Sequence, residues 1–284
     1  MPNFESASSP RFTRTAGIAI VTTALSLGIA AIATAHDMFV KPEKFRVSEN
    51  SEVLVRLLNG TFSKSENSIA RARVLDLAVV TPGGRTTLDT TTWNVAGDTS
   101  TMQVRTGGAG TYVIGVSTRT NIIALAAKEF NGYLASDGIP DVLAARRRAG
   151  ELDRPARERY AKHVKALLQV GQARSDSYGT VLGYPAEVVP LENPYDLRVG
   201  STLRVRAVVD GKPVANQFVQ YGGRTARGAR IEQRSVRTGA DGVARFPLRQ
   251  AGVWYIKFIH MTRLQNDPDA DYESKWATAT FDVR

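Results

Sequence analysis

Short runs of alternating apolar and polar residues, each closed by a tight-turn signal, recur along this chain and constrain its fold more than any other feature. Residues 45–47 and 53–58 lead to Asn59-Gly60, and residues 74–80 lead to Pro82-Gly83-Gly84. Residues 203–209 alternate until Asp210-Gly211 turns them back, and residues 254–260 alternate again before a closing run at 276–283. Strands this short and this evenly punctuated predict a mainly β chain of sandwich type. The segment Ala109-Gly110-Thr111-Tyr112-Val113-Ile114 matches Ala251-Gly252-Val253-Trp254-Tyr255-Ile256, a tight turn feeding a long aromatic strand in both cases. Two related halves follow from this repeat. We therefore expect two immunoglobulin-like β-sandwich domains, residues 36–121 and 183–284.

The segment between them reads differently. Residues 122–182 are rich in alanine and charge, and predict a helical linker or insert. One helix is expected over 124–134, stopped by Asp137-Gly138. Pro140 suits a first helical position, with 141–149 following and Gly150 ending it. Asp153-Arg154-Pro155 opens a third helix, in which Ala156, Tyr160, Val164, Leu167 and Leu168 share a face and Gly171 ends the run. His163 then falls on the polar side of that helix, as a solvated surface residue.

Residues 1–35 read as an export signal, with Arg11 and Arg14 before an apolar stretch that closes at Ala33-Thr34-Ala35. Cleavage after Ala35 delivers the chain to the periplasm and makes His36 its first residue. The chain of 284 residues contains no cysteine, which excludes disulfides and thiolate metal sites. Loss of the leader removes only one unit of the formal charge of +10. An exported protein this basic adheres to anionic surfaces or polymers. Its arginines are scattered and lack interleaved aromatic residues, which argues against nucleic acid.

A terminal histidine has a special chemistry. Its α-amine and its imidazole Nδ1 close one chelate ring on a metal ion, so a single residue supplies two nitrogen donors. Only three histidines exist, His36, His163 and His260. His260 ends an alternating run and precedes Asp267, Asp269, Asp271 and Glu273. Imidazole with carboxylate suits a divalent first-row metal, and a nitrogen-rich tetragonal site suits copper or nickel. The candidate metal ligands are thus His36, His260, Asp271 and Glu273, and binding through them weakens below about pH 6 as imidazole takes up protons. The acidic run is not an EF-hand, because it lacks the glycine and glutamate at the required spacings. Hydrolytic motifs are absent: there is no Gly-x-Ser-x-Gly, no His-Glu-x-x-His and no cysteine nucleophile.

Several stretches together resemble the periplasmic cobalt/nickel-uptake component family, termed NikM-like. They are Ala35-His36-Asp37-Met38-Phe39-Val40-Lys41-Pro42, Glu129-Phe130-Asn131-Gly132-Tyr133-Leu134, the expected helix Arg154-Pro155-x-Arg157-Glu158-Arg159-Tyr160 ending at Val170-Gly171, Glu192-Asn193-Pro194-Tyr195, His260-Met261, and the run from Asp269 to Trp276. Phe39 departs from the more usual His-x-x-Trp start but keeps an aromatic ring. The resemblance implies a non-catalytic carrier or accessory of nickel or cobalt uptake, with the metal ion and a membrane metal transporter as partners. Two other classes stay open: a copper-dependent polysaccharide mono-oxygenase, which also uses a terminal histidine on a β-sandwich, and a metal-free adhesion or scaffold module.

Overall fold

Alternation at period two is expressed almost throughout. In the computed structural model, which describes residues 1, 36–88 and 90–284, the chain is mainly β. Apart from Met1, the expected leader lies outside the described residues. The first strands are β1 (Asp37–Pro42), β2 (Arg46–Val47), β3 (Glu52–Gly60), β4 (Val74–Thr81), β5 (Gly84–Thr87), β6 (Asn94–Ala96), β7 (Thr99–Arg105), β8 (Gly110–Thr118) and β9 (Asn121–Leu125). Helices α1 (Ala127–Ser136) and α2 (Pro140–Arg148) follow, near the positions that the glycines and Pro140 predict. Then come β10 (Ala156–Val170), β11 (Ala186–Pro190), β12 (Thr202–Val209), β13 (Lys212–Pro213), β14 (Phe218–Thr225), β15 (Arg230–Arg237), β16 (Val243–Pro247), β17 (Gly252–Arg263) and β18 (Tyr272–Val283).

These strands form three sheets. A ten-stranded sheet runs β15-β14-β17-β18-β10-β8-β4-β5, with β2 and β9 also pairing β10. One four-stranded sheet runs β1-β3-β7-β6, and another joins β11, β12 and β13 with β16 on β12. The large sheet is the middle layer. Along β10, Val164, Ala166, Leu168 and Val170 pack with Met38, Val40, Val55, Leu57 and Met102 of the first small sheet. Leu167 points the other way, into a core with Val188, Leu203, Val205 and Phe246 of the second small sheet. The two small sheets therefore cover opposite faces of the large one. Helices α1 and α2 share the face of the first, packing Phe130, Tyr133 and Leu134 on Ile259, Met261 and Trp276.

The third expected helix is instead β10, the strand at the centre of the molecule. It pairs in parallel with β18 from Glu158↔Tyr272 to Ala166↔Thr280, and antiparallel with β8 and β9. A strand covered on both faces loses the alternation that marks a half-exposed strand and reads as a near-continuous run. The polar residues within it mimicked the wet face of a helix, but all are partnered inside the protein. Residues 122–182 are consequently not a helical linker. The segments 36–121 and 183–284 feed different cores, yet both cores are tied to this one sheet, and the described residues from His36 to Arg284 form one compact unit.

His163 is corrected with it. The ring is buried at 2% exposure, its Nδ1 is 2.9 Å from Ser117 Oγ, and its Nε2 is buried without a hydrogen-bond partner among the described residues. Burial, with Lys275 adding repulsion, pushes its pKa down to about 4. The folded-state value lies below the ordinary 6.5, so the neutral ring's stability is fully present above pH 6.5 and is lost as pH falls through 4. The window is worth at most about 3 kcal/mol. Urea unfolding at pH 7 and pH 4.5 is expected to show a change on acidification that is less favourable in the native chain than in His163→Gln. An identical pH slope in both would refute the assignment.

Candidate binding site

The four expected ligands lie in the fold as follows. His36 precedes β1, and its Nε2 is 2.5 Å from Glu66 Oε2. Lys162 Nζ donates to the His36 carbonyl. His260 lies on β17, where Nδ1 is 2.9 Å from Gln217 Oε1. Gln217 spends its amide on the Ile259 carbonyl, so the His260 Nδ1 carries the donated proton. Burial, then Lys275, lowers the pKa of His260. Asp271 receives the Arg157 backbone N–H at 2.7 Å and pairs with the Arg157 guanidinium at 3.2 Å. Glu273 lies 3.7 Å from Lys275.

His36 is not brought to the other three, and no group of three or more such side chains among the described residues could hold a metal ion. On β17, Trp254, Ile256 and Phe258 enter the core beneath the second small sheet, and His260 continues that series. Lys257 faces the other way and meets Asp37, the neighbour of His36, at 2.5 Å. His36 and His260 thus belong to opposite faces of the large sheet, and metal–nitrogen bonds near 2 Å do not reach around it. The acidic loop is latched by arginine rather than left open to an ion. Asp267 pairs with Arg159 at 2.8 Å and also accepts the N–H groups of Asp269 and Ala270, which holds its pKa at about 2.

What surrounds His36 is a cavity of about 490 Å³. One wall is made by His36, Asp37 and the 60–66 loop, and another by β14 and β15 through Gly223, Arg224, Arg230 and Gln233. Its floor is aromatic: Phe39, Phe62 and Tyr255 meet with centroids 4.9–5.3 Å apart. Tyr255 OH donates to Gln233 Oε1 at 2.8 Å. Gly223 is required where β14 bulges, since a Cβ there would lie 2.2 Å from the Val253 carbonyl oxygen. The wall beside His36 rests on buried charge. Lys257 sits between Asp37 at 2.5 Å and Asp137 at 3.9 Å. Burial lifts the pKa of Asp137 to about 6, with Lys257 opposing and Asp37 adding to the rise. Lys162, bonded also to Asn59 Oδ1 at 3.0 Å, is lowered to about 8 by burial, against the pull of Asp37 and Glu158.

The family model described as a domain of unknown function, DUF4198, matches residues 33–262. The chain belongs to the DUF4198 family. No curated protein matches it. Similar solved structures include a DUF4785 family protein from Legionella pneumophila subsp. pneumophila str. Philadelphia 1, 10% identical with a TM-score of 0.23, over 76% of this chain and 50% of that one. A tetra-tandem repeat in the extending region of a large adhesion protein is 11% identical with a TM-score of 0.21, over 88% and 50%. The BSP domain of a biofilm associated protein is 10% identical with a TM-score of 0.20, over 86% and 29%. This chain spans half or less of each of those structures, and at such scores they carry no argument.

The DUF4198 match contains every residue that lines the cavity around His36. Several of them escaped the sequence reading. Glu66 lies in a polar loop with nothing to mark it. Lys162 and Lys257, which stand behind the lining, did carry a signal: each is a cation in a buried stretch of strand, and a lysine enclosed in that way needs a partner. Arg224 and Arg230 flank the β14–β15 turn and read as ordinary surface residues.

Proposed function

We propose that this DUF4198 protein is an exported, periplasmic carrier that takes a divalent transition metal at His36 and serves uptake of nickel or cobalt with a membrane transporter. The observation that supports this is the 2.5 Å contact between His36 Nε2 and the Glu66 carboxylate. A carboxylate only accepts, so the proton is held on Nε2 and the lone pair falls on Nδ1. Nδ1 is the nitrogen that closes a chelate ring with the α-amine once the leader is cut after Ala35. A carboxylate behind a metal-bound imidazole is the usual way in which such a ring is oriented and made more basic. Among the described residues, no group of three or more His, Cys, Asp or Glu side chains could hold a metal ion. In this reading the amine therefore supplies the second donor, and the remaining positions go to solvent or to a co-ligand. The preference for nickel or cobalt rests on the resemblance of the His36-Asp37-Met38-Phe39 start and its companion stretches.

Calorimetric titration of nickel, cobalt and copper tests the reading in four proteins: the chain beginning at His36, the same chain with one added glycine, Glu66→Gln and His260→Ala. The added residue is expected to lower affinity at least tenfold by removing the amine. Glu66→Gln is expected to lower it about tenfold, the lower end for an outer partner of a ligating histidine. His260→Ala should leave it unchanged. Equal affinity with and without the added glycine would reject the site. Reductant consumption by the copper form would favour the oxidative enzyme instead.

A further inference from the structure

We infer that the His36 cavity receives the metal as a complex with a small polycarboxylate, whose free carboxylates are held by Arg224 and Arg230. This rests on the metal reading and adds the co-ligand to it. A space of about 490 Å³ exceeds what an ion needs and falls within the roughly 300–1,000 Å³ of small-molecule pockets. Its two walls differ in charge. Carboxylates of Asp37, Glu66 and Asp137 accompany His36, whereas the β14–β15 wall carries the two guanidinium groups.

Those arginines are set for an anion in different ways. Arg224 is fixed by bonds from Nε to Ser63 Oγ at 2.5 Å and from Nη1 to the Gly228 carbonyl at 2.8 Å, which leaves Nη2 uncommitted. Arg230 makes no hydrogen bond or ion pair with any described residue. No carboxylate among the described residues is within ion-pair distance of either one, and the excess positive charge is felt nearby: Lys41 is lowered by burial first and by Arg224 next. Guanidinium groups engage carboxylates bidentately, with charge-assisted bonds about twice as strong as neutral ones. The apolar floor of Phe39, Phe62 and Tyr255 would lie against the carbon skeleton between the two charged ends.

Nickel chloride, nickel citrate and citrate alone are the probes, titrated by calorimetry into the chain beginning at His36, Arg230→Ala, and Arg224→Gln/Arg230→Ala. The Arg230 side chain is exposed and makes no hydrogen bond or ion pair with a described residue, so its removal should change the thermal melt little. The native chain is expected to bind nickel citrate at least tenfold more tightly than nickel alone. Arg230→Ala should lose most of that preference and the double variant all of it, with bare nickel affinity intact in both. Equal affinity for nickel and nickel citrate in the native chain, or a preference that survives the double change, overturns the inference. Should nickel bind no form, the metal reading fails, and citrate alone then decides the arginine wall. Citrate retained by the native chain and lost in the double variant supports a carboxylate subsite, and equal citrate binding overturns it.

Discussion

Replacing Glu187 with alanine is expected to destabilise the protein by about 3–5 kcal/mol, the range for removing one partner of a buried ion pair. Glu187 is fully enclosed, and its carboxylate meets Lys165 Nζ at 2.7 Å. It also accepts the backbone N–H groups of Leu182, Gly183 and Tyr184 at 2.9–3.1 Å. Alanine would strand one buried ammonium and three buried amides together. The 182–184 turn would then lose its hold on the large sheet, where Leu182 and Tyr184 cover Val80 and Val113. Glu187→Gln keeps an acceptor for some of these donors and should lose less. A double change to Lys165→Met and Glu187→Leu removes both charges and should lose less than the sum of the single changes. Urea midpoints of the native chain, these three variants and the single changes Lys165→Met and Glu187→Leu decide; a loss under about 1 kcal/mol for Glu187→Ala would show that the pair is not needed.

Asp137→Asn is expected to act in the opposite direction. The Asp137 carboxyl is raised to about 6 from its ordinary 3.8, chiefly by burial. The folded chain therefore holds a proton on this group that the unfolded chain has released. Its contribution to stability is present below about pH 4 and is lost as pH rises through 6, a swing of about 3 kcal/mol. The side chain is 20% exposed, so screening reduces this little. Asparagine removes the charge at the same volume. A gain of about 2–3 kcal/mol at pH 7.5 and none at pH 4 should appear in thermal or urea unfolding. A loss at pH 7.5 would mean that Lys257 depends on Asp137, not on Asp37 alone. His163 tilts the same pH interval the other way, so the native chain shows only the difference, and the two variants are needed to expose each slope.

The parts of the fold that the sequence foretold are those with one wet face. Residues 203–209 and 254–260 alternate because a solvent or cavity side accompanies a core side along part of each strand, and their turns carry Asp-Gly or Ala-Gly. Helices α1 and α2 kept their punctuation for the same reason. Strand β10 did not, because His163, Lys165 and Gln169 answer to buried partners, Ser117, Glu187 and Thr111, that lie 22 to 58 residues away. Pairings that distant leave no local trace. The candidate site divides in the same way. His36 was singled out by its place after Ala33-Thr34-Ala35, and that needed no structure. Its pairing with His260 failed on strand parity: position 260 shares a face with 258, not with 257. Glu66, Arg224 and Arg230 become visible only when the loop after β3 and the β14–β15 turn meet over the aromatic floor.

The parallel pairing of β10 with β18 also fixes an order of events during synthesis. A ribosome releases the chain from its amino end, and β18 emerges after both strands that it pairs with. Until residues 272–283 are out, β10 has neighbours on one side only, and its other edge offers a row of bare N–H and C=O groups next to Val164, Ala166 and Leu168. Such an edge invites pairing with a second nascent chain. Completion of this sheet therefore waits on residues 272–283, and a chain truncated before Tyr272 should aggregate rather than fold as a smaller protein.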